Sequence, residues 1–257
     1  MSLLEIHNLS KSFKGLLAND KICMELKLGE ARCIIGPNGA GKTTLISMIS
    51  GHLFQSSGII TFDGKNISNH DLVKRVRLGI GRKFQTPTLF DNLTVYENVE
   101  LSVIRNNYSN FEKNAKIDET LKLIRLFDEK DVPANTLSHG QRQWLEIGLL
   151  IGNNVKLLLL DEPTAGMTTE ETIATTKLIN NLSGEKNLSI IVIEHDINFV
   201  RELGAQITVL HLGKIFAEGN YSTIENNKFV REIYLCLLYT SDAADERSSV
   251  DLGGRRI

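Results

Sequence analysis

Eight consecutive residues carry the clearest chemistry in the chain: Gly36-Pro37-Asn38-Gly39-Ala40-Gly41-Lys42-Thr43 fits the pattern G-x-x-x-x-G-K-[ST]. Glycines let backbone N–H groups turn inward around phosphate oxygens without Cβ clashes, and a helix that starts as the loop ends adds the positive end of its dipole. Lys42 would reach the β- and γ-phosphates of a nucleotide, the Thr43 hydroxyl would ligate Mg²⁺, and Thr44 is placed to hydrogen-bond the α-phosphate. Farther along, the leucines Leu157–Leu160 run into Asp161-Glu162. A buried parallel strand that ends in two carboxylates delivers them to the edge where open α/β sheets place their ligands. Asp161 would hold Mg²⁺, directly or through water, and Glu162 would act as general base on the water attacking the γ-phosphate.

These side chains need elements to position them, and the apolar pattern supplies candidates. Leu3–Leu9, Ile22–Leu26 and Glu30–Ile35 read as strands, the last stopping at Gly36. Leu45, Ile46 and Ile49 form one stripe of a helix over Gly41–Ser50, with Gly51 as its C-cap. Gly58–Phe62 reads as a strand and Asp63-Gly64 as a hairpin turn. From Asp91 to Leu126 the pattern is helical around a polar break at Asn106–Asn110, which marks a helical subdomain over about residues 86–150. A helix from Ser138 to Ile151, the strand Lys156–Asp161, a helix at Thr169–Leu182, the strand Ser189–Glu194, a helix at Ile197–Leu203 and strands at Gln206–Leu210 and Lys214–Ala217 complete the series. Alternating strands and helices imply a parallel α/β core covered on both faces.

Leu137-Ser138-His139-Gly140-Gln141 opens the helix that contains Trp144, Leu145, Ile147 and Leu149, with Ser138 as a sound N-cap. The pentapeptide resembles the LSGGQ signature of ABC-type ATPases, with His139 in place of the first central glycine. The resemblance runs from Leu3 to about Leu235, with the motifs in family order. It implies a P-loop NTPase fold with a mixed, largely parallel sheet, an N-terminal antiparallel β part and a helical subdomain. It also implies roles that residue type alone does not give. Gln85, otherwise a surface-loop glutamine, matches the residue that contacts Mg²⁺ and the attacking water. His195, otherwise a polar strand end, matches the histidine that touches the γ-phosphate. Phe13, otherwise a half-buried aromatic, stands where the family stacks a ring on adenine. The family site closes between two cassettes, so Ser138, Gly140 and Gln141 would face ATP held by a partner, either a second copy or a related ATPase. In the loop Ala165-Gly166-Met167-Thr168, Thr168 stands where many members carry an aspartate that couples the two subunits.

Ala165-Gly166-Met167, Phe84-Gln85-Thr86-Pro87 and Leu93–Asn98 are similar to the ATPases of hydrophobic amino-acid and urea importers, and Arg82–Asn98 with LSHGQRQWLEIG most resembles the urea type. The implied function is an ATP-hydrolysing subunit at the cytoplasmic face of the membrane, docked on permease subunits and served indirectly by a solute-binding protein. Urea is the first expected solute and branched-chain amino acids the second. Arg82 and Arg142 are candidates for an exposed contact with the permease.

Composition bounds the alternatives. With 29 basic and 31 acidic residues the formal charge is −2, and no basic stripe marks a nucleic-acid surface. That, the single cassette and the absence of a heptad run or cysteine cluster weigh against a non-transport ABC ATPase. No apolar stretch approaches the roughly 18–20 residues that cross a bilayer, and Met1–Asn8 has no signal-peptide pattern. Cys23, Cys33 and Cys236 form no CxxC pair, and the first two read as small buried thiols. Residues 236–257 lack sustained periodicity and read as either a disordered tail or a non-native extension of an ATPase domain spanning 1–235.

Overall fold

Side chains that alternate between the two faces of the buried central strands divide the protein into two cores that share one sheet. A computed structural model describes residues 2–83, 89–104, 108–184 and 186–232. In chain order its elements are β1 (Ser2–Phe13), β2 (Leu16–Lys27), β3 (Ala31–Ile35), α1 (Lys42–Ser50), β4 (Ser57–Phe62), β5 (Lys65–Asn66), α2 (Leu72–Leu78), β6 (Ile80–Arg82) and α3 (Val95–Val103). There follow α4 (Asn110–Leu123), α5 (His139–Gly152), β7 (Leu157–Asp161), α6 (Thr169–Gly184), β8 (Ser189–Ile193), α7 (Ile197–Leu203), β9 (Gln206–His211), β10 (Lys214–Gly219) and α8 (Tyr221–Glu225).

The six-stranded sheet has the order β10-β9-β3-β8-β7-β6. All its pairs are parallel except β9 with β10. A four-stranded antiparallel sheet, β2-β1-β4-β5, stands beside it. One face of the main sheet, with Leu158, Leu160, Ile190 and Val192, packs on α3, α4 and α5 through Val95, Val99, Leu121, Leu145 and Ile147. The opposite face, with Leu157, Leu159, Ile191 and Ile193, packs on α1 and the antiparallel sheet through Leu45, Ile46, Leu4, Ile6 and Phe62. Strands covered on both faces read as continuous apolar runs, which is why Leu157–Leu160 shows no alternation in sequence. The mixed, largely parallel sheet with an antiparallel N-terminal part is the fold class expected.

The turn after β4 also forms as expected: Asp63 and Gly64 adopt φ 49° and 71° and close the Phe62–Lys65 pair in a primed hairpin turn. Three elements were not anticipated. In α2 the one buried residue is Arg75, so there is no apolar stripe to read. The other two are short: β6 has three residues and α8 five. Cys33 is buried, but Cys23 is exposed. On β2 the alternation turns Ile22 and Met24 inward, which sends Cys23 to the other face.

Candidate nucleotide-binding and hydrolysis site

The loop between β3 and α1 has the backbone that its glycines predict. Gly36 has φ 154°, and a Cβ there would come within 2.2 Å of the Leu210 carbonyl oxygen. Gly41 has φ 99°, and a Cβ there would meet the Ala18 carbonyl at 2.3 Å. Asn19 on β2 donates to the Gly41 carbonyl at 3.3 Å, so the β1–β2 hairpin is fastened to the loop. Around Gly39 the same position meets nothing within 4 Å among the described residues. Gly41 is the N-cap of α1 and offers no side-chain acceptor, and the first turn carries no acidic residue. The helix thus begins with N–H groups that no side chain of the cap satisfies, an arrangement suited to an anion. Lys42 is buried and arches back over the loop, its Nζ donating to the carbonyls of Gly36 at 2.6 Å and Pro37 at 3.0 Å. Burial lowers its pKa, while the charges of Glu162 and Asp161 work in the opposite direction. Thr43 is exposed on the first turn and Thr44 half-buried.

β7 carries the two carboxylates to the same edge. Asp161 is only 2% exposed. Its Oδ2 lies 3.4 Å from Arg82 Nη2, and its Oδ1 has no hydrogen-bond partner among the described residues. Burial raises its pKa and the Arg82 charge opposes the rise. An orphaned buried carboxylate oxygen is a donor of the kind a hard divalent cation such as Mg²⁺ takes. Arg82 is therefore not the exposed permease contact expected. Its Nη1 also donates to Ser47 Oγ at 2.9 Å, and Ser47 donates to the Thr43 carbonyl at 2.7 Å. Arg142 pairs with Asp91 at 2.6 Å and donates to the Ala134 carbonyl.

Glu162 takes a left-handed backbone, φ 50°, with its N–H donating to the Ile193 carbonyl at 2.9 Å. Its Oε1 stands 3.6 Å from Nδ1 of His195, a half-exposed ring. The geometry thus brings Glu162 and His195 together. It adds Glu194, which sequence reasoning passed over. This buried carboxylate accepts from the Thr164 N–H at 3.0 Å, from the Thr164 hydroxyl at 2.6 Å and from the His195 N–H at 3.2 Å. It ties the turn after Glu162 to the turn bearing His195. A carboxylate directly after the apolar run Ser189–Ile193 was the available signal.

The remaining expected residues lie elsewhere. Ser138 caps α5 in a reciprocal box with Gln141: the Gln141 N–H donates to Ser138 Oγ at 3.2 Å and the Ser138 N–H to Gln141 Oε1 at 3.0 Å. Gln141 also donates to Glu129 at 3.1 Å, and Gly140 is buried. The side-chain hydrogen bonds of Ser138 go to Gln141 and Glu171, and neither belongs to the loop 36–44. His139 Nε2 is 3.0 Å from the Ala165 carbonyl oxygen. Phe13 ends β1 and is 41% exposed, with Lys11 Nζ 5.1 Å from its ring centroid. Gln85 lies outside the described residues.

The profile of the ABC transporter family matches residues 20–165, a span that includes the glycine loop, the capped pentapeptide and Asp161-Glu162. The chain belongs to the ABC transporter family. Among ABC relatives, the high-affinity branched-chain amino acid transport ATP-binding protein BraF of Pseudomonas aeruginosa is 32% identical over 91% of this chain and 97% of its own length. The probable branched-chain amino acid transport ATP-binding protein LivG of Archaeoglobus fulgidus is 33% identical over 91% of this chain and 96% of its own. The ADP conformation of MJ1267, an ATP-binding cassette of an ABC transporter, superposes with a TM-score of 0.82 at 29% identity, covering 91% of this chain and 99% of that one. The chain is thus an ABC ATP hydrolase, the ATP-binding subunit type of a transporter. No helix among its described residues is long and apolar enough to cross a membrane.

Proposed function

We propose that this ABC ATPase drives import of branched-chain, hydrophobic amino acids. The observation that carries the solute assignment is that BraF and LivG, matched over 91% of the chain, are both named for branched-chain amino acid transport. Urea, the first solute expected from the sequence, gains no such support. Within residues 1–235, the helices between about 86 and 150 would form the subdomain that meets the permease. The subunit would sit peripherally at the cytoplasmic face, with a solute-binding protein acting across the membrane.

In the proposed site, ATP enters the loop Gly36-Pro37-Asn38-Gly39-Ala40-Gly41, whose N–H groups and the N-terminus of α1 receive the phosphates. Lys42 exchanges its bonds to the Gly36 and Pro37 carbonyls for phosphate oxygens, and Thr44 takes the α-phosphate. Asp161, Thr43 and Gln85 would hold Mg²⁺, which supplies charge neutralisation between the β- and γ-phosphates. Glu162, held by the Ile193 carbonyl and facing His195, takes the proton of the attacking water. Phe13 would stack on the base. Ser138, Gly140 and Gln141 would complete the site of a partner cassette, a second copy or a related ATPase. In support, the side-chain bonds of Ser138 leave the glycine loop of its own chain untouched.

Glu162→Gln is expected to lower phosphate release by about 10²-fold or more, to retain ATP binding and to accumulate an ATP-dependent dimer. Full turnover in that variant overturns the mechanism. For the solute, disruption of the gene should abolish uptake of labelled leucine and leave urea uptake intact; the opposite pattern overturns the assignment.

A further inference from the structure

The N-terminus of α5 already holds an anion, and it comes from this chain. Glu171 is in the first turn of α6. Its Oε2 closes a capping box in the ordinary way: the Thr168 N–H donates to it at 3.0 Å, and the Glu171 N–H donates back to Thr168 Oγ1 at 3.2 Å. Its Oε1 turns away from α6 and accepts the Ser138 hydroxyl at 2.9 Å. The carboxylate lies close against the backbone of Gly140, where a Cβ would come within 2.5 Å of Oε1. Gly140 therefore gives the carboxylate its access to α5. The hydrogen bonds from Thr168 and Ser138 hold the Glu171 carboxyl below the usual glutamate range. By contrast, Glu97 and Glu112 bond their own N-cap residues, Thr94 and Ser109.

The two helix starts that face phosphate in the proposed mechanism therefore differ. That of α1 has no side-chain acceptor, whereas at α5 the serine hydroxyl is engaged by a carboxylate packed against Gly140. A hydroxyl at a helix start is a donor that a phosphoryl oxygen would use. We infer that Glu171 is a displaceable internal anion: it holds the Ser138 hydroxyl beside Gly140 in a binding-ready arrangement at rest and competes for it with the γ-phosphate of ATP held by the partner cassette. This rests on the two-cassette reading under Proposed function. Because Oε2 of the same carboxylate binds Thr168, displacement also loosens the loop Ala165–Thr168, which His139 continues to hold through the Ala165 carbonyl. Glu171 is a positioning residue, acting through Ser138.

The test uses the full chain with Glu162→Gln, so that bound ATP persists, and compares Glu171, Glu171→Gln and Glu171→Ala. Without nucleotide, amide exchange at Gly140 and Gln141 should rise about threefold or more in Glu171→Ala while the segment 36–44 keeps its rate; unchanged exchange at α5 overturns the resting contact. In an ATP titration followed by light scattering, alone or with the paired cassette, the ATP needed for half-maximal association should fall about threefold in Glu171→Gln. Binding of a fluorescent ATP analogue to the dilute, dissociated cassette should not change. An equal or higher ATP requirement overturns the competition and leaves Glu171 a structural cap. If the Glu171 protein binds ATP yet never associates, the two-cassette reading fails and the competition with it, while amide exchange still decides the resting contact.

Discussion

Asp161 has two oxygens in different situations, and one arginine creates the difference. Arg82 draws Oδ2 to 3.4 Å and leaves Oδ1 buried without a hydrogen bond among the described residues. It thereby fixes which oxygen is offered to a cation and opposes the protonation that burial favours. Removing Arg82 should strand a buried carboxylate, and Arg82→Met is expected to cost about 3 kcal/mol in urea denaturation. The pH dependence has a definite sign. Burial raises the folded-state pKa of Asp161, and loss of Arg82 raises it further, so the penalty is fully present where Asp161 is ionised. It shrinks as pH falls through that raised value. The Mg²⁺ concentration for half-maximal ATPase should accordingly rise more steeply on acidification in Arg82→Met than in the parent. Adding Asp161→Asn should restore most of the stability; if the double variant is no more stable than Arg82→Met, the pairing is not the cause. The placement of Asp161 and Glu162 at the end of a buried strand was legible because an apolar run led straight into them. Arg82 was misread as a surface residue because its partners Asp161 and Ser47 lie on other elements, which residue type and spacing do not reveal.

At the scale of the element, α1 was legible nearly to the residue, since strand, glycine loop, apolar stripe and Gly51 all punctuate it. What holds its far end was not. The fully buried Arg75 donates Nη1 to the Met48 and Ile49 carbonyls at the C-terminus of α1, Nη2 to Ser68 at 3.3 Å and Nε to His70 at 2.9 Å. A cation on those carbonyls complements the negative end of the helix whose positive end faces phosphate. Burial brings its pKa down to about 10, still charged at neutral pH. Gly51 is needed beside it, because at φ 83° a Cβ would approach Arg75 Cδ to 3.0 Å. α2 escaped sequence reading for the same reason: its buried residue is a cation satisfied by carbonyls rather than a member of an apolar stripe. Arg75→Met leaves those carbonyls without a donor, a cost partly offset by removal of a desolvated charge, with a net loss of about 3 kcal/mol expected. Arg75→Lys should recover less than half of that, because one ammonium cannot span the same acceptors. A lowered urea midpoint with an unchanged slope would show that α1 lost its support without loss of two-state unfolding; an undiminished midpoint in Arg75→Met would refute the assignment.

Across the whole molecule the central sheet joins a core built on α3, α4 and α5 to one built on α1 and the antiparallel sheet. Local pattern identified most of these elements, but which faces meet is a long-range matter, and one connection between them is ionic. Lys83 follows β6, its N–H donating to the Leu159 carbonyl at 2.9 Å and its Nζ lying 3.5 Å from Glu146 on α5. Both side chains are buried, at 2% and 5% exposure. The strand leading to Gln85 is thus tied to the helix capped by Ser138, two segments proposed to face different ATP molecules, one held by this chain and one by its partner. A buried pair adds little net stability over apolar residues of the same size, but breaking it is costly. Glu146→Gln and Lys83→Met should each therefore destabilise by about 3 kcal/mol, while Lys83→Met with Glu146→Leu returns close to the parent. The resulting cycle should show a coupling of about 1–3 kcal/mol, and simple additivity would mean that the two side chains do not act as a unit. In the restored double variant, folding and ATP binding survive without the ionic tie, so ATPase measured with the permease isolates its mechanical part. If α5 and the root of the Gln85 segment move as one body through this pair, permease-stimulated hydrolysis should fall while basal hydrolysis holds; equal stimulation would show that apolar packing of α5 carries the motion alone.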